Sequence, residues 1–341
     1  MPDIIKEDLN TIKSSLKGFE KNIKNKTFLV TGGSGFLGSW FCDTLNTFDA
    51  KIICVDNFSS GAEKNIEHLF KSKNFRLLKA DICSFKINEK IDYIVHMASI
   101  ASPPLYQEKP VETIDSNVLG TRNMLELARK NNARMLFTST SEVYGDARVV
   151  PSPENYYGYV NSYGPRCMYD EGKRCAEAYC YSYWKKYGLD IRIVRIFNTY
   201  GPRLDSDANQ YGRALVKFVS QALKNQDISL YSDGKQTRSF CYITDQINGL
   251  FRLLLTDGLA GEVVNIGNDK EITILQLVEK VIKLTKSSSK IGFNTPPNYD
   301  IKDDPRRRCP NITKARKLLK YEPKISLDQG LKRTVDWVRF K

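Results

Sequence analysis

Tyr169 and Lys173 are the two side chains whose types and spacing most directly indicate catalysis. They stand four positions apart in a stretch with a helical pattern, so both would lie on one face of a helix. An ammonium beside a phenol stabilises the phenolate and lowers the pKa of the tyrosine, which prepares it to exchange a proton with an alcohol. Thr140, which ends an apolar run earlier in the chain, would add a second hydroxyl. A Tyr-x-x-x-Lys pair by itself also fits a solvated helix face, so the surrounding elements decide its meaning.

A glycine-rich segment follows the first strand-like run of the sequence. Its glycines come directly after the apolar and β-branched residues 27–31 and open a helical pattern. Glycine allows a tight turn there, and the start of the helix presents backbone N–H groups to an anion such as a pyrophosphate. The segment therefore predicts dinucleotide binding, although an ordinary turn would also use glycine. The residues expected at the pyrophosphate are Gly32, Gly35, Phe36, Leu37 and Gly38.

An acidic residue after the second predicted strand supports that interpretation. Asp56 stands about 20 residues beyond the glycines, the distance typical of the acid that binds the adenosine ribose. A carboxylate there accepts hydrogen bonds from the ribose hydroxyls and repels an added 2′-phosphate, so it favours NAD over NADP. Residues that follow the second, third and fourth strands would complete the cofactor site: Asn57, Ser60, Gly61, Asp81, Ile82, Ala98 and Ser99.

Alternating strand-like and helical patterns must position these side chains. Short β-branched runs predict strands at 27–31, 51–55, 75–79, 93–96, 134–139 and 191–196, with helical patterns at 36–46, 63–70, 117–130 and 171–187. Such alternation predicts an α/β fold with a Rossmann-type, doubly wound parallel sheet. We therefore expect a helical extension at 1–26, an NAD-binding domain at 27–200 and a smaller C-terminal α/β substrate lobe at 201–341, with interleaved boundaries.

The composition argues against several other classes of protein. The chain carries a formal net charge of +13, but its 52 Lys and Arg are spread along the sequence, so we expect no nucleic-acid binding. No apolar run approaches the roughly 20 residues that cross a membrane, and residues 1–26 lack the apolar core of a signal peptide. Eight Cys without a C-x-x-C pair, with only two His, predict no metal site. Apolar settings for several Cys favour a reducing, cytoplasmic location.

Longer motifs resemble the extended short-chain dehydrogenase/reductases that epimerise, dehydrate or decarboxylate nucleotide sugars. They include TGGSGFLGS, NVLGTRNMLELA, STSEVYGD, YDEGK, RIFNTYGPR and the closing DDPRRRCPNITKA. Within that superfamily, residues 98–104, the STSEVYGD run and the segment that ends in YDEGKR look most like UDP-glucuronate decarboxylases. The resemblance implies NAD as cofactor, a UDP-sugar substrate and a homodimer built through a four-helix bundle. It also implies that Tyr169 and Lys173 contact both the cofactor and the substrate.

The resemblance further assigns side chains to the nucleotide sugar and to the chemistry at its C6. Dehydratases of the superfamily carry Asp-Glu after the catalytic Thr, whereas here Ser141 precedes Glu142. A site without that acid suits decarboxylation of a 4-keto-uronate better than expulsion of water. A 4,6-dehydratase, a 4-epimerase and a non-catalytic NAD-binding scaffold stay open as alternatives. The implied substrate residues are Asn198, Arg203, Tyr231, Arg238 and Arg308.

Overall fold

The computed structural model describes residues 3–204, 214–295 and 304–340. Its strands are β1 (Thr27–Thr31), β2 (Lys51–Asp56), β3 (Phe75–Lys79), β4 (Tyr93–His96), β5 (Arg134–Thr140), β6 (Ile191–Ile196), β7 (Thr199–Tyr200), β8 (Ile228–Leu230), β9 (Thr237–Ser239), β10 (Cys241–Tyr242), β11 (Val263–Ile266), β12 (Glu271–Thr273), β13 (Ile291–Phe293) and β14 (Arg307–Arg308). Its α-helices are α1 (Ile4–Ser15), α2 (Glu20–Ile23), α3 (Phe36–Asn46), α4 (Pro103–Glu108), α5 (Pro110–Asn131), α6 (Cys167–Tyr187), α7 (Ala214–Leu223), α8 (Ile243–Leu255), α9 (Ile274–Thr285), α10 (Thr313–Leu319) and α11 (Leu327–Phe340).

A seven-stranded sheet forms the centre of the protein, with the strand order β11-β6-β5-β4-β1-β2-β3. Its neighbouring strands pair in parallel. Parallel strands are covered by helices on both faces and therefore carry continuous apolar runs. Strand β1, with the sequence TFLVT, and strand β4, with YIVH, are buried along almost their whole length. The Rossmann-type α/β fold predicted from the sequence is confirmed.

The strand order reverses beside β1. Strands β2 and β3 extend the sheet on one side of β1, and β4, β5 and β6 extend it on the other. Loops that leave neighbouring strands in opposite directions open a crevice, and ligands of open α/β sheets bind there, outside the carboxyl ends of the strands. Asp56 ends β2 and Thr140 ends β5. The topology therefore brings the predicted cofactor acid and the predicted catalytic threonine to one edge of the sheet.

Two long helices, α5 and α6, pack together on one face of the sheet. Ala176, Cys180 and Tyr183 of α6 share one buried cluster with Met124 and Leu125 of α5. The spacing of these α6 residues is that of a single helical face. This packing fixes α6 against the sheet and so sets where the start of α6 lies relative to β5.

The smaller lobe is interleaved with the sheet domain. Strand β11 lies far along the chain, yet it pairs with β6 and completes the main sheet, with Val263 opposite Ile193. Helix α8 packs on β5, β6 and β11. The short sheets β12-β9-β14 and β13-β8 belong to the other lobe. A cut at residue 200 therefore does not separate two continuous units.

Most predicted element boundaries agree with the structure to within a few residues, and segment 63–70 is the clearest difference. It forms two short 3-10 helices, Glu63–Asn65 and Glu67–Lys71, rather than one α-helix. Ile66, between them, is fully buried and has a φ of −130°. The Asn65 side-chain amide also donates to the Ser34 carbonyl oxygen at 2.9 Å. Contacts with the rest of the fold therefore outweigh the local helical pattern.

The first described residues form the expected helical extension. In α1, Ile12 and the following Leu16 are fully buried, and the helix packs against α3 and α8. Asp8 accepts a hydrogen bond from the Tyr242 hydroxyl at 2.7 Å, and burial raises the pKa of Asp8 to about 6.

Within the described residues, none of the helices combines the length and the apolar character needed to cross a membrane.

Candidate active site

A large cleft of about 1330 Å³ runs from the glycine-rich turn to the smaller lobe. It lies at the carboxyl edge of the sheet, where the strand order reverses. Every residue predicted for the cofactor and for catalysis lines it, and so do four of the five predicted substrate residues. The four are Asn198, Tyr231, Arg238 and Arg308.

The glycine-rich turn is packed too tightly for side chains. Gly32 has a φ of +70°, and a Cβ there would lie 2.7 Å from the backbone nitrogen of Ala98. A Cβ on Gly38 would lie 2.1 Å from the Gly32 carbonyl oxygen. The turn can therefore close against the end of β4 only with glycine, and it aims the N-terminal end of α3 into the cleft. That end offers backbone N–H groups and a partial positive charge to a pyrophosphate.

Asp56 is held at the side of the cleft by backbone donors. The Ser34 N–H donates to Oδ2 at 2.9 Å, and the Phe58 N–H donates to Oδ1 at 2.8 Å. Each carboxylate oxygen retains a further lone pair for a ribose hydroxyl. Gly61 closes the loop beside it, because a Cβ there would lie 1.9 Å from Ser34 Oγ. The residues present therefore fit an adenine dinucleotide without a 2′-phosphate.

Tyr169, Lys173 and Thr140 meet deeper in the cleft. The Lys173 ammonium donates to the Thr138 carbonyl oxygen at 2.9 Å and lies 6.0 Å from the centroid of the Tyr169 ring. The Thr140 side chain interacts with the Tyr169 phenol. Burial lowers the pKa of Lys173 to about 7, and burial also raises the pKa of Tyr169 although the interaction with Thr140 opposes that rise. Tyr169, Lys173 and Thr140 can thus pass a proton to or from a substrate hydroxyl.

Glu142 is clamped between two guanidinium groups. Arg308 donates to its Oε2 at 2.7 Å, and Arg166 donates to the same oxygen. Burial alone would raise the pKa of Glu142, but the charges of Arg308 and Arg166 outweigh burial and hold it below its ordinary value. Glu142 is therefore an anion at neutral pH and has no proton to donate.

Strand pairing places the two predicted substrate arginines side by side. Strand β14 runs parallel to β9 with Arg308 opposite Arg238. Arg238 donates to both carboxylate oxygens of Asp304 at 3.1 Å. Asn198 donates to the Ser239 carbonyl oxygen at 3.3 Å, beside the same strand. Two guanidinium groups on neighbouring strands that line the cleft suit the oxygens of a diphosphate.

Arg203 is the predicted substrate residue that the structure does not bring into the cleft. Its guanidinium donates to Asp43 at 2.5 Å and lies 5.1 Å from the centroid of the Trp40 ring. Asp43 and Trp40 both belong to α3. Arg203 therefore ties the segment after β7 to the sheet domain.

Tyr106, Arg166 and Asp304 are three of the polar or charged cleft residues that were not predicted from the sequence. Tyr106 stacks on the Tyr169 ring with centroids 5.5 Å apart. Tyr106 Oη and Arg308 Nε are buried without a hydrogen-bond partner among the described residues, so a polar ligand would satisfy them. Arg166 precedes Tyr169 by one helical turn, which is the signal that could have identified it.

Asp170, next to Tyr169 on α6, is a buried carboxylic acid close to the cleft. Its nearest ion pair joins Oδ2 to Arg166 Nε at 3.5 Å. Burial, helped by the charge of Glu142, raises the pKa of Asp170 to about 8. Asp170 is not among the residues that line the cleft, so the proton it holds at neutral pH does not face the space for a sugar.

Comparison with known proteins gives the family. Residues 28–267 match the NAD dependent epimerase/dehydratase family. The chain belongs to that family. UDP-glucuronic acid decarboxylase 1 of Xenopus tropicalis is 42% identical over 314 residues, which are 92% of this chain and 72% of the relative. UDP-glucuronic acid decarboxylase 5 of Arabidopsis thaliana is 44% identical over 310 residues, which are 90% of this chain and 87% of the relative.

Solved structures agree with this assignment. The UDP-glucose 4-epimerase of Thermotoga maritima, determined with UDP-glucose, is 28% identical and has a TM-score of 0.82, with 92% of this chain and 99% of that chain covered. A mutant UDP-glucuronic acid 4-epimerase of Bacillus cereus was determined in complex with UDP-4-deoxy-4-fluoro-glucuronic acid and NAD. It is also 28% identical and has a TM-score of 0.82, with 92% of this chain and 99% of that chain covered. The superfamily resemblance inferred from the motifs is confirmed.

Proposed function

We propose that this protein is an NAD-dependent decarboxylase that converts UDP-glucuronate to UDP-xylose. The observation that carries the proposal is the clamped Glu142. It follows Ser141 at the end of β5 and is held anionic by Arg308 and Arg166. A 4,6-dehydratase needs an acid that protonates the departing C6 hydroxyl. Neither Ser141 nor Glu142 can supply that proton at neutral pH. Loss of CO2 from a 4-keto-uronate requires no such acid.

The charge balance of the ion-pair cluster around Glu142 also favours an acidic sugar. In this cluster Arg166, Arg238 and Arg308 supply three positive charges, and Glu142 with Asp304 supplies two negative ones. Asp170 adds little negative charge because burial raises its pKa to about 8. The excess of positive charge suits a substrate that carries both a diphosphate and a C6 carboxylate. The relatives named UDP-glucuronic acid decarboxylase support the same substrate.

The proposed reaction begins at the C4 hydroxyl of the sugar. Tyr169 takes the hydroxyl proton, Thr140 orients the phenol, and Lys173 stabilises the phenolate by its charge. When bound at the glycine-rich turn, NAD would supply a hydride acceptor for C4 and return that hydride at the end of the reaction. The preference for NAD over NADP follows from Asp56, whose carboxylate would repel a 2′-phosphate.

Decarboxylation then follows from the chemistry of the 4-keto sugar. The C4 carbonyl is β to the C6 carboxylate, so the electrons of the C5–C6 bond flow into the C4 oxygen as CO2 leaves. The resulting enolate is stabilised by the hydrogen-bond donors of Tyr169 and Thr140 at that oxygen. A proton returns to C5 from water, and Glu142 with its two arginines holds the ring in place. The product is a nucleotide sugar with five carbon atoms in the sugar, in which C4 is again an alcohol.

A matched pair of substrates tests the proposal. UDP-glucuronate and UDP-glucose differ only at C6, so the purified protein is incubated with each and the products are identified by NMR and mass spectrometry. We expect UDP-xylose and CO2 from UDP-glucuronate and no net dehydration of UDP-glucose. Formation of UDP-galacturonate without CO2 would identify a 4-epimerase, and a 4-keto-6-deoxy sugar from a neutral hexose would identify a dehydratase.

We also propose that the protein is a cytoplasmic homodimer. The outer face of α5 exposes the apolar side chains of Val111, Ile114 and Leu119, which a second copy of α5 and α6 would cover. The eight cysteines are unpaired thiols, five of them buried, which suits a reducing compartment. Sedimentation of the purified protein tests the dimer.

A further inference from the structure

Glu177 lies one helical turn beyond Lys173 on α6, outside the cleft that contains the catalytic trio. Its carboxylate is mostly buried and accepts three hydrogen bonds. Ser139 Oγ donates to Oε1 at 2.5 Å, and Arg195 donates to Oε1 at 3.0 Å and to Oε2 at 2.7 Å. We propose that Glu177 is a positioning residue that keeps Lys173 protonated and holds the end of β5 in place. The inference rests on the proposed role of Tyr169 and Lys173 in proton transfer.

The contact with Ser139 fixes the strand at the point where catalysis needs it. Ser139 stands between Thr138, whose carbonyl oxygen accepts from Lys173, and Thr140, whose side chain interacts with Tyr169. A displacement of this residue along or across the strand would therefore disturb both contacts together. Glu177 and Lys173 are four positions apart on α6 and therefore lie on one face of the helix. From that face Lys173 contacts Thr138 and Glu177 contacts Ser139, the next residue of β5.

Arg195 anchors the carboxylate from the far side. Its Nη1 donates to the Tyr144 hydroxyl at 3.0 Å and to the Glu154 carbonyl oxygen at 2.9 Å. The Tyr144 hydroxyl in turn donates to Asn265 Oδ1 on β11 at 2.8 Å. Strands β5, β6 and β11 therefore share one network that ends at Glu177. The position of the carboxylate is fixed by the sheet rather than by the helix alone.

The electrostatic part of the inference follows from what surrounds Lys173. Burial lowers the pKa of Lys173, and interactions with Cys180 and with the charge of Glu177 act in the opposite direction. On β4, burial lowers the pKa of His96 to about 3, so His96 is neutral; on α6, burial keeps the Cys180 thiol and the Tyr169 phenol neutral by raising their pKa values. On β5 the Phe137 ring lies 4.9 Å from the ammonium and carries no charge. Among these neighbours, Glu177 is the anion that favours the ammonium.

Glu177→Gln removes the charge at nearly the same volume: the amide oxygen can still accept from Ser139, whereas the amide NH2 cannot accept the second hydrogen bond from Arg195. Removing the anion should lower the pKa of Lys173 by roughly one pH unit. The titration is followed by NMR of the full chain labelled with ¹³C at lysine Cε, and the Lys173 signal is identified by its absence in Lys173→Met. Glu177→Asp keeps the charge and should restore most of the shift. Glu171→Gln removes an exposed charge that pairs with Arg174 on the same helix and should leave the titration unchanged.

The reaction gives a second readout. With UDP-glucuronate, the alkaline limb of the pH profile of kcat should move to lower pH in Glu177→Gln, because Lys173 loses its proton earlier. Ser139→Ala removes one hydrogen bond and no charge, so it should lower kcat without moving that limb. If Lys173 titrates alike in Glu177→Gln and in the unmodified protein, the inference is wrong and Glu177 serves the fold alone. Absence of UDP-glucuronate turnover by the unmodified protein would instead contradict the proposed function, since the NMR titration needs no substrate.

Discussion

Arg166→Met is the substitution whose effect on stability follows most directly from the contacts of the cleft. Arg166 is mostly buried, with 16% of its side chain exposed, and it pairs with Glu142 and Asp170, which are exposed by 14% and 7%. Methionine keeps much of the apolar stem and removes the charge. We expect the variant to fold and to be measurably less stable at neutral pH.

The magnitude follows from what remains after Arg166 is gone. Removing one partner of a buried ion pair typically costs about 3–5 kcal/mol. Here Arg308 still donates to Glu142 at 2.7 Å, and Asp170, with its pKa raised to about 8 by burial, is mostly protonated at pH 7. We therefore expect a loss at or below the lower end of that range, about 2–3 kcal/mol, which for a chain of this length lowers the melting temperature by roughly 3–4 °C.

The dependence on pH has a definite sign. The pKa of Glu142 is lowered in the folded protein, so its ionised form adds stability above its unfolded pKa, and this stability is lost as the pH falls through the folded value. Arg166→Met should therefore show its full deficit at neutral pH and a smaller one as the pH approaches the folded pKa of Glu142.

Thermal unfolding followed by circular dichroism at several pH values measures both effects. Arg76→Met is the matched control, because Arg76 pairs with Glu89 and both side chains are about half exposed. An exposed pair contributes about 0–1 kcal/mol, so the control should shift the melting temperature by no more than roughly 1 °C. A shift for Arg166→Met no larger than that of the control would refute the clamp as a source of stability.

Three further substitutions test the site. Asp56→Ala should weaken NAD binding and relax discrimination against NADP, measured by titration calorimetry; tighter binding of NADP than of NAD by the unmodified protein would contradict the assignment of Asp56. Tyr169→Phe should lower kcat by about 10²–10⁴-fold while NAD binding is retained, and a loss below about tenfold would point to another base. Arg238→Met should raise the KM for UDP-glucuronate by about tenfold or more and weaken inhibition by UDP in parallel, since each charge-assisted hydrogen bond contributes about 1.5–3 kcal/mol. Unchanged inhibition by UDP would place the diphosphate elsewhere.

Features that depend on neighbours in the chain were predictable from the sequence. Glycine at 32 and 38 follows from steric limits on one turn, and the spacing of Tyr169 and Lys173 follows from helical periodicity. The apolar runs of the central strands follow from burial on both faces. In these cases the physical constraint acts over a few neighbouring residues, so the amino-acid sequence alone shows it.

Contacts made across the fold were not predictable in the same way. Arg166 was missed because its partner Glu142 is brought to it by the packing of α6 on β5. Arg203 was expected at the substrate, yet its guanidinium lies on Asp43 and Trp40 of α3. Segment 63–70 had a helical pattern, but the burial of Ile66 divides it. The residue type indicated the available chemistry in each case, and the direction of the side chain was set by the tertiary structure.

The fate of C6 and of the C4 hydrogen tests the proposed decarboxylation most directly. UDP-glucuronate labelled with ¹³C at C6 and deuterium at C4 is incubated with the purified protein, and the gas and nucleotide sugar are analysed. We predict ¹³CO2 in a one-to-one ratio with UDP-xylose, and UDP-xylose that retains deuterium at C4. Label that stays in a six-carbon nucleotide sugar, with no ¹³CO2 released, would contradict the decarboxylase assignment.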